Sequence, residues 1–341
     1  MAGGDTRPLR VLVITNMYPS QQHPHSGVFV SRQVRSLDQA GVTTKVICVD
    51  RESRRGMLSY AGLARRVRDA SSRFQPDLVH VMYGGIMALL VAFSRLDQPV
   101  IVSFCGSDIH GQPNAPPLRR MIARVGVWCS RAAAKRASGV IVKSEELKVC
   151  LPEVACPVRV IPNGIDLDAF RPRHPLEARR ELGWSEDGLH VLFYDSSDPL
   201  KRADLARAAF AKLRGGLRAE LHRMWGIAPD EVPTWLNASS VLLVTSAREG
   251  SPNVVKEALA CNVPVVSVDV GDVRERLDGV EWCTIADDNP QALAKAMSEL
   301  GRAPRRTNGR PAVEGLRLEA VAKRICDLYE IVRRAPSHST R

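Results

Sequence analysis

The chain has 341 residues, 45% of them hydrophobic and 25% charged, long enough for two domains that each bury a full core. Its formal net charge is +11, and all of that excess lies in residues 1–165, where 22 Lys/Arg stand against 11 Asp/Glu. The longest uninterrupted apolar run, Ile86 to Phe93, is too short to span a bilayer.

Residues Met1 to Pro8 lack the charged-then-apolar pattern of a signal peptide. The eight cysteines show no metal-ligand spacing and read as reduced thiols of a cytoplasmic protein. An excess of positive charge confined to one half suggests that this half meets something anionic. Nucleic acid, membrane lipid and a phosphorylated acceptor are all candidates, and an arginine-rich genome explains the bias equally simply.

Leu9 to Thr15 is a first buried strand, and a helix runs from Val28 to about Ala40. Gly27 at this junction lets backbone approach a ligand, although a plain turn glycine fits the same place. Strands at Lys45–Val49, Asp77–Val81 and Val100–Phe104 alternate with a basic helix from roughly Leu58 to Phe74 and an apolar one after Gly84-Gly85. His80 reads as a strand-end core residue, with a role in a cleft as the alternative.

A long helix is predicted over 117–137. At 100° per residue, Arg120, Arg124, Arg131 and Lys135 fall within a stripe of about 60°. Met121, Ile122, Val125, Cys129 and Ala132 fall on the other side, which is expected to be buried. The basic face is either simply solvated or a surface for anionic lipid or a phosphorylated acceptor.

Gly139–Ser144 and Val158–Pro162 end a first domain, residues 1–165. Asn163-Gly164 is a turn signal. Charged, proline-containing residues 171–181 read as a linker. A second domain, residues 166–318, opens with the strand Val191–Tyr194, the loop Asp195–Leu200, then Lys201-Arg202 and a helix to about Leu213. Lys201-Arg202 are two cations that would suit a diphosphate, or else a helix-start pair on the surface. A strand at about Ala219–Met224 and a helix at Pro233–Ala238 follow, and a terminal helix covers 319–334.

The most informative stretch is Ser246 to Ala258. The apolar strand Val241–Val244 runs into Glu249-Gly250-Ser251-Pro252-Asn253-Val254, a helix starts at Asn253, and a second strand begins at Val263. Strand, loop, helix and strand place this loop at the carboxyl end of a parallel strand, where open α/β sheets bind ligands. Free N–H groups at the helix start suit a phosphate. Glu249 and Glu257 flank that position, and a carboxylate beside a phosphate is repulsive. They therefore suit neutral hydroxyls on either side of it, as a nucleotide-sugar offers. Spacing alone also allows a solvated loop glutamate and a surface helical one.

The run from Glu249 through Glu257-Ala258, then Pro264-Val265-Val266 and Val268-Asp269-Val270-Gly271-Asp272-Val273, resembles the Glu-x7-Glu motif of retaining family 4 glycosyltransferases, in the branch with teichuronic-acid-type transferases. Tyr18-Pro19, Gly27-Val28-Phe29, Gly106-Ser107-Asp108 and Pro162-Asn163-Gly164-Ile165-Asp166 resemble further segments of that family, so the similarity covers residues 9–334. It implies a GT-B fold: two Rossmann-like parallel-sheet α/β domains facing an interdomain cleft, with helix 319–334 crossing back to the first.

The implied activity is metal-independent and retaining, with no cofactor. The implied donor is a nucleotide-sugar, UDP favoured over GDP, and the acceptor a hydroxyl, lipid-linked ones included. The setting would be cell-surface polysaccharide or glycoconjugate synthesis, in the cytoplasm or at the inner membrane face. Glu249, Lys201 and Asp108 would be catalytic. Glu257, Arg202, Gly250, Ser251, Pro252, Asn253, Val254, Gly27 and Asn163 would bind the donor, and Gly226 with its neighbours would hold the base. Where relatives carry an arginine that binds the diphosphate, Ser196 or Ser197 stands here, with Arg202 to compensate. Where relatives carry a histidine that assists the sugar, Cys105 stands here. A backbone group or His110 takes its place, or the role is absent.

No Walker loop, no Gly-x-Gly-x-x-Gly helix opening and no Gly-x-Ser-x-Gly elbow occurs, which argues against an ATPase, a nicotinamide enzyme and a hydrolase. A GT-A transferase with its metal on an Asp-x-Asp triplet is not expected. A basic nucleic-acid-binding protein competes on charge alone, without aromatic interleaving or a recognised module. A nucleotide-sugar epimerase of the same fold and a transferase for a small natural-product acceptor also compete.

Overall fold

The computed structural model describes residues 7–49, 59–111, 117–195, 198–213, 218–302 and 305–335. Ser196 and Ser197, and Leu58 at the expected start of the basic helix, lie outside them. The chain divides into two compact units, one of residues up to Gly164 together with those from Leu318 on, the other Ile165–Arg317.

The first unit strings together β1 (Arg10–Thr15), α1 (Val28–Gln39), β2 (Thr43–Cys48), α2 (Leu63–Phe74), β3 (Leu78–Met82), α3 (Gly85–Ala92), β4 (Val100–Phe104), α4 (Ser107–His110), α5 (Pro117–Arg136), β5 (Gly139–Val142), α6 (Glu145–Val149) and β6 (Val158–Val160). Its six strands are parallel in the order β2-β1-β3-β4-β5-β6. Every residue of β3, β4 and β5 is buried, because helices cover both faces of a parallel sheet and leave no polar side.

The second unit contains α7 (Pro175–Leu182), β7 (Leu189–Tyr194), α8 (Ala203–Ala211), β8 (Ala219–Met224), α9 (Val232–Ala238), β9 (Val241–Val244), α10 (Asn253–Ala260), β10 (Val265–Ser267), α11 (Val273–Leu277), β11 (Thr284–Ile285), α12 (Pro290–Arg302) and α13 (Arg310–Glu314). Its five parallel strands run β11-β10-β9-β7-β8. Residues 171–181 are not a linker. Pro175 sits in the first turn of α7, where its missing N–H costs nothing, and the Arg179 guanidinium donates to the Ala238 carbonyl at 2.9 Å and the Ser240 hydroxyl at 3.0 Å.

The last helix, α14 (Leu318–Arg334), belongs to the first unit. Val321, Ile325, Leu328, Tyr329 and Val332 pack with Val11, Val13, Ile101 and Ile141 on one face of the six-stranded sheet. His80 is fully buried there. Its Nδ1 lies 2.6 Å from the Tyr329 hydroxyl and its Nε2 2.7 Å from the Ser103 hydroxyl. Burial, and then the charge of Lys143, push its pKa down to about 3, so the ring stays neutral and its two nitrogens are one donor and one acceptor. Tyr329→Phe leaves one ring nitrogen unanswered. We expect a loss of about 1–3 kcal/mol in urea-unfolding free energy, and an unchanged midpoint would show that the bond does not hold α14 down.

Candidate functional site

In the second unit the loops that leave β7 and β9 are stitched to each other. Thr245, just past β9 and fully buried, sets its hydroxyl 2.8 Å from the Lys201 carbonyl and 3.1 Å from that of Arg202. The Ala247 N–H donates to the Leu200 carbonyl at 2.8 Å. This stitching brings the Lys201 ammonium to 2.5 Å from a Glu249 carboxylate oxygen, with the two side chains only 19% and 17% exposed. The same ammonium lies 4.9 Å from the centre of the Tyr194 ring. Burial alone would lower the pKa of Lys201, but the charge and hydrogen bond of Glu249 outweigh it and raise the value. Burial raises Tyr194 as well, and Lys201, Glu257 and Glu249 all act on it. Lys201, Glu249, Glu257 and Tyr194 therefore form one electrostatic cluster at the carboxyl edge of the five-stranded sheet.

Glu257 sits one turn into α10 and is half-buried. Its charge follows burial as the second cause that lifts the Cys261 thiol to about 12. The residue before α10, Pro252, offers no side-chain cap, and the first turn of the helix holds no acidic residue that would offset the positive end of its dipole. Pro252 leads into the helix, and Asn253 and Val254 open it. Ser251 does not cap it. Its hydroxyl donates to Asp272 at 2.8 Å, and Asp272 also accepts from Arg276 at 2.9 Å. Gly250 meets a second loop: a Cβ on Gly271, whose φ is +56°, would stand 2.9 Å from the Gly250 carbonyl oxygen. The approach of these two loops explains the run Asp269-Val270-Gly271-Asp272. Arg202 carries its guanidinium to Asp288, at 2.6 Å, so the expected extra cation of the site is already ion-paired. Gly226 follows β8 at the same edge of the sheet.

The first unit treats its site residues differently. Gly27 begins α1 with φ +65°, and a Cβ would stand 2.3 Å from the Met17 carbonyl carbon, so the loop after β1 closes against it. Asp108, which family resemblance makes face a sugar, is buried, and its carboxylate accepts N–H bonds from Gly84 (2.8 Å), Cys105 (3.0 Å) and Gly106 (2.8 Å). That engagement makes it the fastener of the loops after β3 and β4. Burial lifts the Cys105 thiol to about 12 and keeps it neutral. The His110 ring lies 3.4 Å from the Cys150 sulfur and 3.3 Å from Glu146 on α6. Asn163 is buried at the end of the unit.

The helix over 117–137 forms, as α5, but its apolar side is not where amphipathicity places it. Leu118, Met121, Ile122, Val125 and Trp128 are each more than half exposed, beside the exposed Arg120, Arg124, Arg131 and Lys135. Only the second half packs, through Cys129, Ser130, Ala133 and Ala134. Periodicity defines a face; it does not say what covers it.

Two clusters of potential metal ligands bear on metal chemistry. Asp166-Leu167-Asp168 is an Asp-x-Asp triplet, contrary to expectation. It is used up in a turn: Asp166 accepts N–H bonds from Asp168 and Ala169, and Asp168 pairs with Arg317. His190, Glu220 and His222 bring one ligand atom each within 4.8 Å of one another and could hold a metal ion. His190 lies second in β7 and Glu220 second in β8, at the amino ends of the strands, so roughly 13 Å of strand separates them from Tyr194.

Two parallel-sheet α/β units, each with its loops at the carboxyl edge of its own sheet, are the architecture of the GT-B class. Residues 7–169 match the family described as Glycosyltransferase Family 4, and residues 195–302 match Glycosyl transferases group 1. The chain is a glycosyltransferase made of these two domains. It is 25% identical to the Bacillus subtilis protein named "Putative teichuronic acid biosynthesis glycosyltransferase TuaC", over 85% of this chain and 88% of that one. It is 31% identical to a D-inositol 3-phosphate glycosyltransferase of Frankia alni, over 43% of this chain and 45% of the relative. Sucrose-phosphate synthase from Thermosynechococcus elongatus shares the fold with a TM-score of 0.80 at 19% identity, covering 96% of this chain and 100% of that one. Anabaena HepE in complex with UDP and glucose shares it at 0.69 and 15%, covering 95% and 100%.

Sequence reading missed Thr245, Tyr194 and Gly271. Their signals were present only as a hydroxyl after an apolar run, an aromatic at a strand end and a glycine between two aspartates. Thr245→Val keeps the volume and removes the stitch. Unfolding free energy should fall by about 1–3 kcal/mol, and UDP affinity in calorimetry should fall with it. Parental values for both would show that the two loops hold without it.

Proposed function

We propose that the protein is a retaining, metal-independent transferase that moves a sugar from a UDP-sugar to a hydroxyl acceptor in cell-surface polysaccharide or glycoconjugate synthesis. The observation that carries this reading is the Lys201–Glu249 ion pair on the loops that leave β7 and β9, with Glu257 one turn along α10. The structures of HepE with UDP and with UDP-glucose, and the name of the Bacillus relative, support the choice of donor and setting.

As the glycosidic bond breaks, negative charge grows on the leaving diphosphate. The N–H groups at the start of α10 meet that charge without reorganising. Lys201 gives one of its three N–H bonds to Glu249 and keeps two for phosphate. Glu249 is thereby held beside the diphosphate, where it orients hydroxyls of the transferred sugar. Glu257, one turn along, takes the ribose hydroxyls. Arg202 reaches phosphate only by leaving Asp288.

The two glutamates should separate kinetically. Glu257→Ala should mainly weaken donor binding and Glu249→Ala should mainly lower turnover, each by roughly 10- to 150-fold for a lost charged hydrogen bond of about 1.5–3 kcal/mol. Steady-state kinetics with a panel of nucleotide-sugars would show this, and parental kinetics in both variants would remove them from the site. Activity should survive EDTA, while Lys201→Ala should lose about two orders of magnitude. Loss on chelation, restored by magnesium or manganese, would overturn the metal-independent mechanism.

The exposed apolar and basic arcs of α5 favour an acceptor at an anionic membrane surface. Apolar side chains enter the headgroup region while each cation contributes about 1 kcal/mol before screening. Among the described residues no helix is long and apolar enough to cross a membrane. The protein should float with anionic liposomes at low salt. Changing Arg120, Arg124, Arg131 and Lys135 together to Gln should abolish flotation and leave UDP affinity intact. Equal flotation of both proteins, or of neither, would turn the choice to a small soluble acceptor.

A further inference from the structure

Lys143 is the first residue past β5, and it is only 2% exposed. Phe104 pairs with Val142 in the sheet, so Cys105 and Lys143 leave neighbouring strands side by side at the carboxyl edge. Side chains alternate along a strand, which puts Lys143 on the face of Ile141, covered by α1 and α14. Among the described residues Lys143 makes no hydrogen bond and no ion pair.

Its surroundings do not answer its charge. The Cys105 thiol is neutral. His80 beneath it is neutral and already bonded on both nitrogens. The Asp108 carboxylate acts on it electrostatically but is committed to three backbone N–H groups. Burial pulls the pKa of Lys143 down, and Cys105 and Asp108 oppose that pull.

In the second unit the buried Arg179 and the half-buried Arg306 look different. Arg179 donates to the carbonyls of Ala238 and Glu186 and to the Ser240 hydroxyl, and Arg306 to the carbonyls of Ser239 and Asn237. A structural cation is saturated in this way, because an unanswered buried charge is costly. A buried ammonium with its N–H groups unused, at the ligand-binding edge of a parallel sheet, is instead set for a ligand.

We propose that Lys143 is a binding residue for a phosphate-class anion, its ammonium donating to a phosphoryl oxygen of a substrate seated at the carboxyl edge of the six-stranded sheet. A full negative charge balances the buried cation, which a neutral hydroxyl does not. The phosphate belongs either to the UDP-sugar or to the acceptor. The inference rests on the transferase reading for the presence of such substrates.

The test is calorimetric titration of the parent, Lys143→Met and Lys143→Arg with UDP, and with inorganic phosphate at saturating UDP. Met keeps the stem and removes the charge, so urea stability should not fall. If the phosphate comes from the acceptor, Lys143→Met should lose about tenfold or more in phosphate affinity, with UDP affinity unchanged. If it comes from the donor, the loss should appear with UDP instead. Lys143→Arg should retain most of the affinity in either case, and Lys143→Gln carries the same readout should the Met variant not fold. Affinities within twofold of the parent for both anions would overturn the inference while leaving the donor site standing. Failure of the parent to bind UDP would instead overturn the donor reading, and phosphate titrated alone would then decide Lys143. A parent that binds neither anion overturns both.

Discussion

The ion pair between Lys201 and Glu249 is the contact on which the ligand edge of the second unit depends. An ammonium four-fifths buried is expensive unless a carboxylate meets it, and the carboxylate is equally expensive alone. Each therefore fixes the other, and moving apart the two loops that carry them would leave both charges unpaired. Thr245 and the Ala247 N–H secure the same loops through the backbone. The result is a preorganised cation held in place before any substrate arrives, which is the condition under which electrostatic stabilisation of a leaving group costs least.

The first unit obeys the same constraint with another outcome. Its carboxylate at the sheet edge, Asp108, is consumed by three amide donors and ties the loops after β3 and β4 together. The neighbouring cation, Lys143, feels that carboxylate's field but has no hydrogen bond or ion pair among the described residues. Resemblance to the family makes Asp108 the functional residue of this loop and passes over Lys143. In the structure both Asp108 oxygens already accept backbone N–H bonds, while the cation beside it keeps its own N–H groups unused among the described residues.

Much of the fold was legible because parallel strands are continuous apolar runs. Val100–Phe104, Ala219–Met224 and Val241–Val244 are found at the expected bounds, and the other expected strands shift by a few residues at their ends. Helix α12, unexpected from composition, carries its own marks: Asn289 caps the Ala292 N–H at 2.9 Å, Pro290 follows, and Leu293, Ala296, Met297 and Leu300 repeat with helical spacing. The supposed linker likewise holds Pro175 and Gly183 at the two ends of a helix. In both places charge and proline mask capping signals that are present in the residues themselves.

Sequence by itself determined the alternation of strand and helix, the placing of Glu249 and Glu257 around a helix start, and the concentration of positive charge before residue 166. These are local properties: they depend on residue type and on spacings of two, three, four or eight. Tertiary structure alone decided which charges are paired and which remain. Lys201 meets a carboxylate 48 positions away, Arg202 one 86 positions away, and His80 a hydroxyl 249 positions away. Whether Met121 and Trp128 on α5 face a core or the solvent depends on neighbours brought together from elsewhere in the chain. Burial and pairing are sums over such distant neighbours, and no window of sequence contains them.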